Sequence, residues 1–319
     1  MSPSLDSCLL CGGALTLVLD GLRDNQGVAA GVFAIHCCHV CGAEQTLPRL
    51  TAEAQRALDK RRHDLAAGEG DAPGAASRAG FRDWLVRTRL DRLWARIDGD
   101  VSFHRARGRG RLLETGCGAG LELESYRANG FDAEGWEAER ALAAPARARG
   151  FTVHGTPLGE FQPPAPYDVI VLSGLLGQSR DPRATLREAR RLLAPGGELW
   201  IALPNAASLF REIFGRDWIN WQAPYRAVHF SPRLLRRLLA EEGFEVRAFD
   251  CVTPTLWLTR SCLVTLYGRP GAPTERLNKP LLLAGWMLTL RLFFFPTLFF
   301  LNRAMRGDWL ILRAGKSAD

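Results

Sequence analysis

RLLETGCGAG, residues 111–120, joins an apolar strand pattern to three closely spaced glycines. The glycines are Gly116, Gly118 and Gly120. Glycine is needed where the backbone takes a positive φ or approaches a ligand closely, so the pattern predicts a strand that ends in a ligand-binding turn before a helix. A glycine-rich turn of this kind also occurs as a tight connection without a ligand, or in dinucleotide-binding sites. The residues around the turn are therefore needed to decide which of these it is.

Acidic residues near the turn argue against a dinucleotide. A dinucleotide fingerprint has its third glycine at position 121, where this chain has Leu121, and Glu114 would repel a pyrophosphate. A positively charged ligand with an amino-acid tail suits Glu114 better, while backbone amides at the helix start can bind its carboxylate. Glu137 stands seventeen residues past Gly120, at the end of the next strand, where a carboxylate can bind both hydroxyls of a ribose.

Short apolar runs of strand length continue on the C-terminal side of the turn. They are FDAEGWE (131–137), FTVHG (151–155), YDVIVLS (167–173), ELWIALP (198–204) and FEVRAFD (244–250). Ala- and Arg-rich stretches of helical length separate most of these runs. Alternation of this kind indicates a parallel sheet covered by helices on both faces, which is an α/β fold.

Residues 78–250 resemble the class I S-adenosylmethionine-dependent methyltransferases. The resemblance rests on LLETGCGAG and GWEAE, which look like the first two motifs of that family, and on the Pro-Gly-Gly turn at 195–197. It implies a Rossmann-like seven-stranded mixed sheet, whose last strand, DWLILRA (308–314), lies antiparallel beside the sixth. The methyltransferase domain would then comprise residues 78–251 and 307–319.

The resemblance also implies the cofactor-binding residues for S-adenosylmethionine. These are Glu114, Gly116, Gly118 and Gly120 at the methionine part, Glu137 at the ribose, Thr156 and Pro157 at the adenine, and Ser173 closing the site from the fourth strand.

The catalytic residues are less defined by the resemblance. Where family members often have an acidic residue and a histidine after the fourth strand, this chain has Gly177 and Gln178. The loop at 214–232 resembles the substrate-covering loop of the family, and it offers His229 as the first candidate for a general base and Tyr225 as the second. A histidine between Val and Phe is also typical of a packed structural residue.

Two cysteine pairs mark the N-terminal 50 residues. Cys8-x2-Cys11 and Cys38-x2-Cys41, each followed by glycine, have the spacing of two knuckles that donate four thiolates to a tetrahedral structural zinc. The alternative is four unligated reduced thiols. The pattern predicts a zinc ribbon over 1–50, followed by a helical or flexible linker over 51–77.

An apolar stretch, LLLAGWMLTLRLFFFPTLFFL (281–301), is long enough to span a bilayer. A single crossing would place the final strand on the wrong side of the membrane, so residues 252–306 are interpreted as an insertion between the last two strands. Its apolar helices either contact the cytoplasmic leaflet as a peripheral element, form a homodimer interface, or close the core as a helix pair.

Composition limits the function classes. The chain has 319 residues, of which 47% are hydrophobic, and this excludes disorder as its main state. Its net charge of +7 is spread along the chain, so a nucleic-acid partner is not expected. The N-terminus has no basic region followed by an apolar run, and a cytoplasmic location is therefore expected.

The ribbon and the loop FGRDW (214–218) resemble methyltransferases that modify sugars and cell-envelope glycans. We therefore expect methyl transfer to a small-molecule, sugar or lipid-linked glycan acceptor. Methylation of ribosomal RNA and a catalytically silent cofactor-binding scaffold are the alternatives.

Overall fold

The computed structural model describes residues 7–25, 28–51, 53–58, 61, 89–268 and 279–317. Its strands are β1 (Leu15–Leu22), β2 (Phe33–Cys38), β3 (Glu44–Leu47), β4 (Arg111–Thr115), β5 (Asp132–Trp136), β6 (Val153–His154), β7 (Tyr167–Val171), β8 (Leu193–Pro204), β9 (Val228–His229), β10 (Phe244–Val252) and β11 (Trp309–Lys316). Its helices are α1 (Arg89–Asp98), α2 (Leu121–Ala128), α3 (Arg140–Ala148), α4 (Leu175–Gln178), α5 (Pro182–Leu192), α6 (Leu209–Phe214), α7 (Pro232–Glu241), α8 (Thr255–Tyr267) and α9 (Pro280–Arg303). Short 3-10 turns span Leu158–Glu160, Gly215–Asp217 and Ile219–Trp221, and residues 53–58 are also helical.

The large sheet has the strand order β6-β5-β4-β7-β8-β11-β10. β4, β5, β6, β7 and β8 pair in parallel, whereas β11 is antiparallel to both β8 and β10. The predicted seven-stranded mixed sheet is therefore confirmed, with the last strand inserted beside the sixth. The order of the strands turns back between β4 and β7, and the carboxyl ends of these strands open into the cleft where such folds bind ligands.

Helices cover both faces of this sheet because every central strand is apolar on both sides. On one face, Leu186 of α5 and Leu235 of α7 pack with Ile170 of β7, and all three side chains are fully buried. On the other face, Leu123 of α2 and Ala143 of α3 belong to a second buried cluster. The sheet is held from both sides, so its strand ends form a rigid platform for a site.

A second, four-stranded sheet has the order β1-β2-β3-β9, and its pairings are antiparallel. Its first three strands come from the predicted ribbon, but β9 comes from the loop between α6 and α7 of the methyltransferase region. β3 would otherwise present an edge of unpaired backbone groups, and β9 pairs with it through Glu44 opposite His229 and Gln45 opposite Val228. The boundary predicted at residue 50 therefore separates the two parts in the chain but not in the fold.

The predicted linker and insertion have different outcomes. Part of the linker, 53–58, is helical, whereas its residues 62–77 lie outside the described residues. The predicted insertion contains α8 and α9, after which the chain re-enters the large sheet as β11. The described part of the chain contains one helical segment, Leu282–Arg303, that is long enough and apolar enough to cross a membrane, as judged by length and composition alone.

Candidate functional site

The turn after β4 has the positive φ angles that its three glycines led us to predict. Gly116 and Gly118 have φ angles of +71° and +46°, and a Cβ added at either would meet open space. Gly120 has a different role: at φ +75° it begins α2, and an added Cβ would lie 2.7 Å from the Cβ of Ala146. The first two glycines therefore face a cleft, while Gly120 allows α2 and α3 to pack closely.

The Glu137 carboxylate lies against this turn. Its Oε2 accepts a hydrogen bond from the Gly118 amide at 3.2 Å, and its Oε1 accepts one from the Glu139 amide at 3.1 Å. Two backbone donors fix the orientation of the carboxylate. Glu137 follows β5 directly, so the parallel pairing of β5 with β4 brings it beside the turn.

A cleft of about 590 Å³ extends from the turn along the carboxyl ends of the strands. Such a volume is typical of a small-molecule site, for which about 300–1,000 Å³ is usual. Four of the eight predicted cofactor residues line it, namely Gly116, Gly118, Glu137 and Ser173. The Ser173 hydroxyl is buried without a hydrogen-bond partner among the described residues, as expected of a group that meets a ligand.

The other four predicted residues do not line this cleft. Glu114 is buried beneath the turn, and its Oε2 has no hydrogen-bond partner in the described part of the chain. Burial raises the pKa of Glu114 well above its usual range, and the nearby Glu122 adds to this rise. The Thr156 carbonyl accepts from Trp136 Nε1 at 2.8 Å, and Pro157 precedes the turn that carries Leu158 into the cleft.

The cleft is also lined by residues that the sequence did not indicate as cofactor-binding. They are Gln55, Arg56, Thr115, Trp136, Ala138, Glu139, Leu142, Leu158, Leu175, Gln178, Ser179 and Thr185. Those at 175–179 follow β7, and their position after a parallel strand was a usable signal. Gln55 and Arg56 reach the cleft from the helix at 53–58, and no local pattern indicates this contact.

The two candidate bases lie in the interface between the small sheet and the methyltransferase region. His229 is buried, and its Nε2 is 2.9 Å from the Thr46 hydroxyl. Tyr225 is also buried, and its hydroxyl donates to Asp24 Oδ2 at 3.1 Å. Neither residue lines the cleft. This geometry favours structural roles for both and gives no support to the base role expected from the sequence.

The electrostatics of His229 point the same way. Burial, together with the nearby guanidinium groups of Arg226 and Arg211, lowers its pKa to about 3. An imidazole of such low basicity is a poor proton acceptor at neutral pH. Arg211 also pairs with Glu44 of β3 at 2.9 Å, so this interface is held by charge as well as by hydrogen bonds.

We expect His229→Gln to lower the free energy of unfolding by about 1–3 kcal/mol, because it leaves buried partners imperfectly satisfied. Turnover at saturating substrate should stay within about twofold, since the side chain is remote from the lining of the cleft. Thermal unfolding and steady-state kinetics check both expectations. A fall in kcat of about a hundredfold without a change in stability would restore the base role.

The four cysteines of the two knuckles converge as predicted. The sulfurs of Cys8, Cys11, Cys38 and Cys41 all lie within 4.8 Å of one another, and the pairs Cys8–Cys41 and Cys11–Cys38 are 3.5 Å apart. A tetrahedron with metal–sulfur bonds of about 2.3 Å places its sulfurs about 3.8 Å apart, close to this arrangement. The four thiols could therefore hold a metal ion.

Both knuckles share one backbone pattern. In the first, Gly12 N donates to the Cys8 carbonyl at 2.8 Å, and in the second, Gly42 N donates to the Cys38 carbonyl at 2.8 Å. Both glycines have φ angles above +70°, which explains why glycine follows each pair. Gln45 Nε2 also donates to Cys8 Sγ at 2.9 Å, a bond that would stabilise a thiolate ligand.

Residues 79–248 match the family model described as "Methyltransferase domain". Ubiquinone biosynthesis O-methyltransferase from Maricaulis maris (strain MCS10) is 29% identical over 153 residues, which are 43% of this chain and 60% of that protein. The protein of that name from Caulobacter sp. (strain K31) is 30% identical over 152 residues, with the same shares. The chain thus spans about 60% of the length of these curated relatives.

Solved structures with a similar arrangement include two methyltransferases. The 1,6-didemethyltoxoflavin-N1-methyltransferase of Burkholderia thailandensis is 15% identical, with 94% of this chain and 100% of that chain covered and a TM-score of 0.46. An S-adenosylmethionine-dependent methyltransferase from Mesorhizobium loti is 18% identical, with 68% and 98% covered and a TM-score of 0.43.

The match to the family model covers 170 of the 319 residues, from position 79 to position 248. It includes the glycine turn, Glu137 and the strands from β4 to β9, and the sheet around it has the mixed seven-stranded order that the resemblance implied. The chain therefore belongs to the class I S-adenosylmethionine-dependent methyltransferase family.

Proposed function

We propose that the protein transfers a methyl group from S-adenosylmethionine to a small-molecule, sugar or lipid-linked glycan acceptor. One observation carries the proposal: the Glu137 carboxylate is held by the Gly118 amide across an open glycine turn. A carboxylate in this position can accept from both ribose hydroxyls, and the turn leaves room for the rest of the cofactor.

The residues present fit this cofactor. Glu137 would hold the ribose, Leu158 and Leu142 would provide apolar surface for the adenine, and Ser173 would donate its unsatisfied hydroxyl. The buried, unpartnered oxygen of Glu114 offers an acceptor for an ammonium group near the turn. When bound, the cofactor supplies a methyl group on a positively charged sulfonium, which is already a good donor.

The chain's own residues then have mainly positioning tasks. Among the described residues that line the cleft, the titratable side chains are Arg56, Glu137 and Glu139. Ser173, Gln178 and Thr185 provide hydroxyl and amide groups that can orient an acceptor by hydrogen bonds. Apolar walls such as Leu175 exclude water from the reacting atoms, and orientation with dehydration supplies most of the acceleration expected for this reaction.

Cofactor affinity should depend on pH through Glu114. Because its pKa is raised by burial, this carboxyl is neutral in the free protein below the raised pKa. A cationic ligand favours the ionised form, so binding releases a proton and affinity rises with pH, by up to about tenfold per unit, until the free-state pKa is reached. Glu114→Gln should remove this dependence.

Calorimetry in two buffers of different ionisation enthalpy measures the protons released on binding. One released proton for the wild type below the raised pKa, and none for Glu114→Gln, is the expected pair of results. A wild-type affinity that is flat across the acidic range would contradict the role of Glu114.

The acceptor class can be tested with radiolabelled S-adenosylmethionine. The protein is incubated with lipid extracts, soluble sugars and nucleotide sugars, and ribosomal RNA, and label transfer is measured in each fraction. The curated relatives are named as O-methyltransferases, which supports a hydroxyl acceptor. Label in RNA alone would favour the ribosomal alternative, and cofactor binding without transfer to any fraction would favour the silent scaffold.

We also propose that the four cysteines bind a structural zinc. A site with four thiolates leaves no coordination position for water, so the metal would stabilise the small sheet rather than take part in methyl transfer. The cysteines are best kept as thiolates in a reducing compartment, which supports the proposed cytoplasmic location.

A further inference from the structure

The long helix α9 leaves one apolar face exposed. Leu288, Leu292, Phe293 and Phe300 are 57%, 61%, 76% and 69% exposed. At 3.6 residues per turn these four side chains and Arg303 fall within about 140° of one another around the helix. Only 11% of the apolar 18-residue stretch in this helix is buried. The helix α9 therefore does not close the core as a buried helix pair would.

The opposite face of α9 is fixed to the protein. Leu290 and Leu298 are buried, the Phe295 ring contacts Trp94 edge-on at 5.2 Å, and Arg291 pairs with Asp98 of α1. The chain then returns to the large sheet as β11. A helix held in this way cannot cross a bilayer without tearing β11 from its two neighbours, but it can lie flat on a surface.

A cleft of about 780 Å³ opens beside the C-terminal end of α9, between α1 and β10. Its charged lining consists of four arginines and two aspartates: Arg96, Arg105, Arg303, Arg313, Asp100 and Asp250. Arg96, Arg105 and Arg303 are exposed. Phe299 and Met305 add apolar surface next to these cations. The cleft therefore combines a net positive charge with an apolar border.

We propose that α9 and this cleft together dock the protein on an anionic phospholipid bilayer. The exposed apolar face of α9 enters the interface, where the apolar side of an interfacial helix lies about 5–10 Å deep. Arg303 ends the same face, so Arg303, with Arg96 at the rim of the cleft, lies at the level of the phosphate groups. The cleft then binds the headgroup of one anionic lipid, and the protein is held at the membrane surface.

Charge complementarity favours a membrane over a second copy of the chain. In a symmetric dimer through this face, each copy would bring the same positively charged cleft towards the other, so like charges would meet. An anionic bilayer provides both an apolar interior and a negative surface. Each arginine near such a surface strengthens binding about fivefold.

Flotation of the full-length protein with vesicles tests the proposal without any methyl acceptor, so its outcome is independent of the proposed function. The vesicles contain phosphatidylglycerol with phosphatidylcholine, or phosphatidylcholine alone. We expect binding to the first and little to the second. Leu292→Glu with Phe293→Glu should abolish binding, and Arg96→Ala with Arg303→Ala should lower the partition coefficient about thirtyfold.

Matched controls are Leu17→Glu, an exposed apolar residue on β1, and Arg233→Ala, an exposed arginine on α7, and neither should change binding. Thermal unfolding of every variant confirms that it is folded. Equal binding to both kinds of vesicle, or unchanged binding after loss of both arginines, would overturn the headgroup site. The wild-type protein could instead fail to bind vesicles and sediment as a dimer, while the variant with Leu292→Glu and Phe293→Glu sediments as a monomer. That result would overturn the membrane proposal in favour of contact with a second copy of the chain.

Discussion

Glu137→Ala is expected to weaken binding of S-adenosylmethionine at least about a hundredfold, because hydrogen bonds to a charged group contribute about 1.5–3 kcal/mol each and two are lost. The structure sharpens the reason. The carboxylate is already oriented by the amides of Gly118 and Glu139, so little freedom is lost when a ligand binds. Glu137→Gln keeps one acceptor oxygen and should give an intermediate loss.

Calorimetric titration with S-adenosylmethionine and S-adenosylhomocysteine measures this effect. Glu245→Ala is a suitable control, since Glu245 is exposed on β10 at the edge of the large sheet. The control should bind as the wild type does. Unchanged affinity in a folded Glu137→Ala protein would remove the ribose assignment, and with it the main support for the proposed reaction.

Cys38→Ser is expected to remove the bound metal and to lower the melting temperature by about 10 °C or more, because structural zinc contributes about 10–16 kcal/mol in isolated zinc fingers. Burial raises the pKa of the Cys38 thiol, but the amides of Cys41 and Val40 and the side chains of Cys11 and Cys41 all form hydrogen bonds with it, and together they lower the pKa to about 7. A thiol of this kind is readily available as a thiolate ligand, and serine cannot replace it.

The loss should reach beyond the knuckles. Trp218 and Trp221 are almost fully buried and pack in one cluster with Leu22, Phe33 and Ile35 of the small sheet. If metal loss loosens the small sheet, these tryptophans become exposed to water, and we expect a red shift of tryptophan fluorescence together with the fall in melting temperature. Elemental analysis gives the metal-to-protein ratio, and Cys37→Ser serves as the control because Cys37 is next to Cys38 in the chain but is not one of the four clustered cysteines. If the purified wild-type protein contains no metal and its melting temperature does not change when a chelator is added, the proposed structural zinc site is contradicted.

The cysteine quartet and the glycine turn could be predicted because their chemistry is local. A pair with x2 spacing followed by a positive-φ glycine folds into one knuckle, whatever surrounds it. The turn and Glu137 are joined by a single strand–helix–strand unit, whose parallel pairing has few alternatives. By contrast, Arg56 enters the cleft beside the turn from the segment after the ribbon, and Leu158 lines it although the sequence did not single that residue out.

Sequence alone determined the family, the sheet class and the four sulfurs that could hold a metal ion, because each follows from periodicity or from residues close together in the chain. Only the tertiary structure showed that the His229 side chain packs against Thr46 and the Tyr225 hydroxyl against Asp24, since Thr46 and His229 are 183 positions apart and no spacing rule connects them. The tertiary structure also decided which side of α9 is exposed. An apolar sequence indicates how much surface is favourably buried, but it does not indicate which neighbouring element covers that surface.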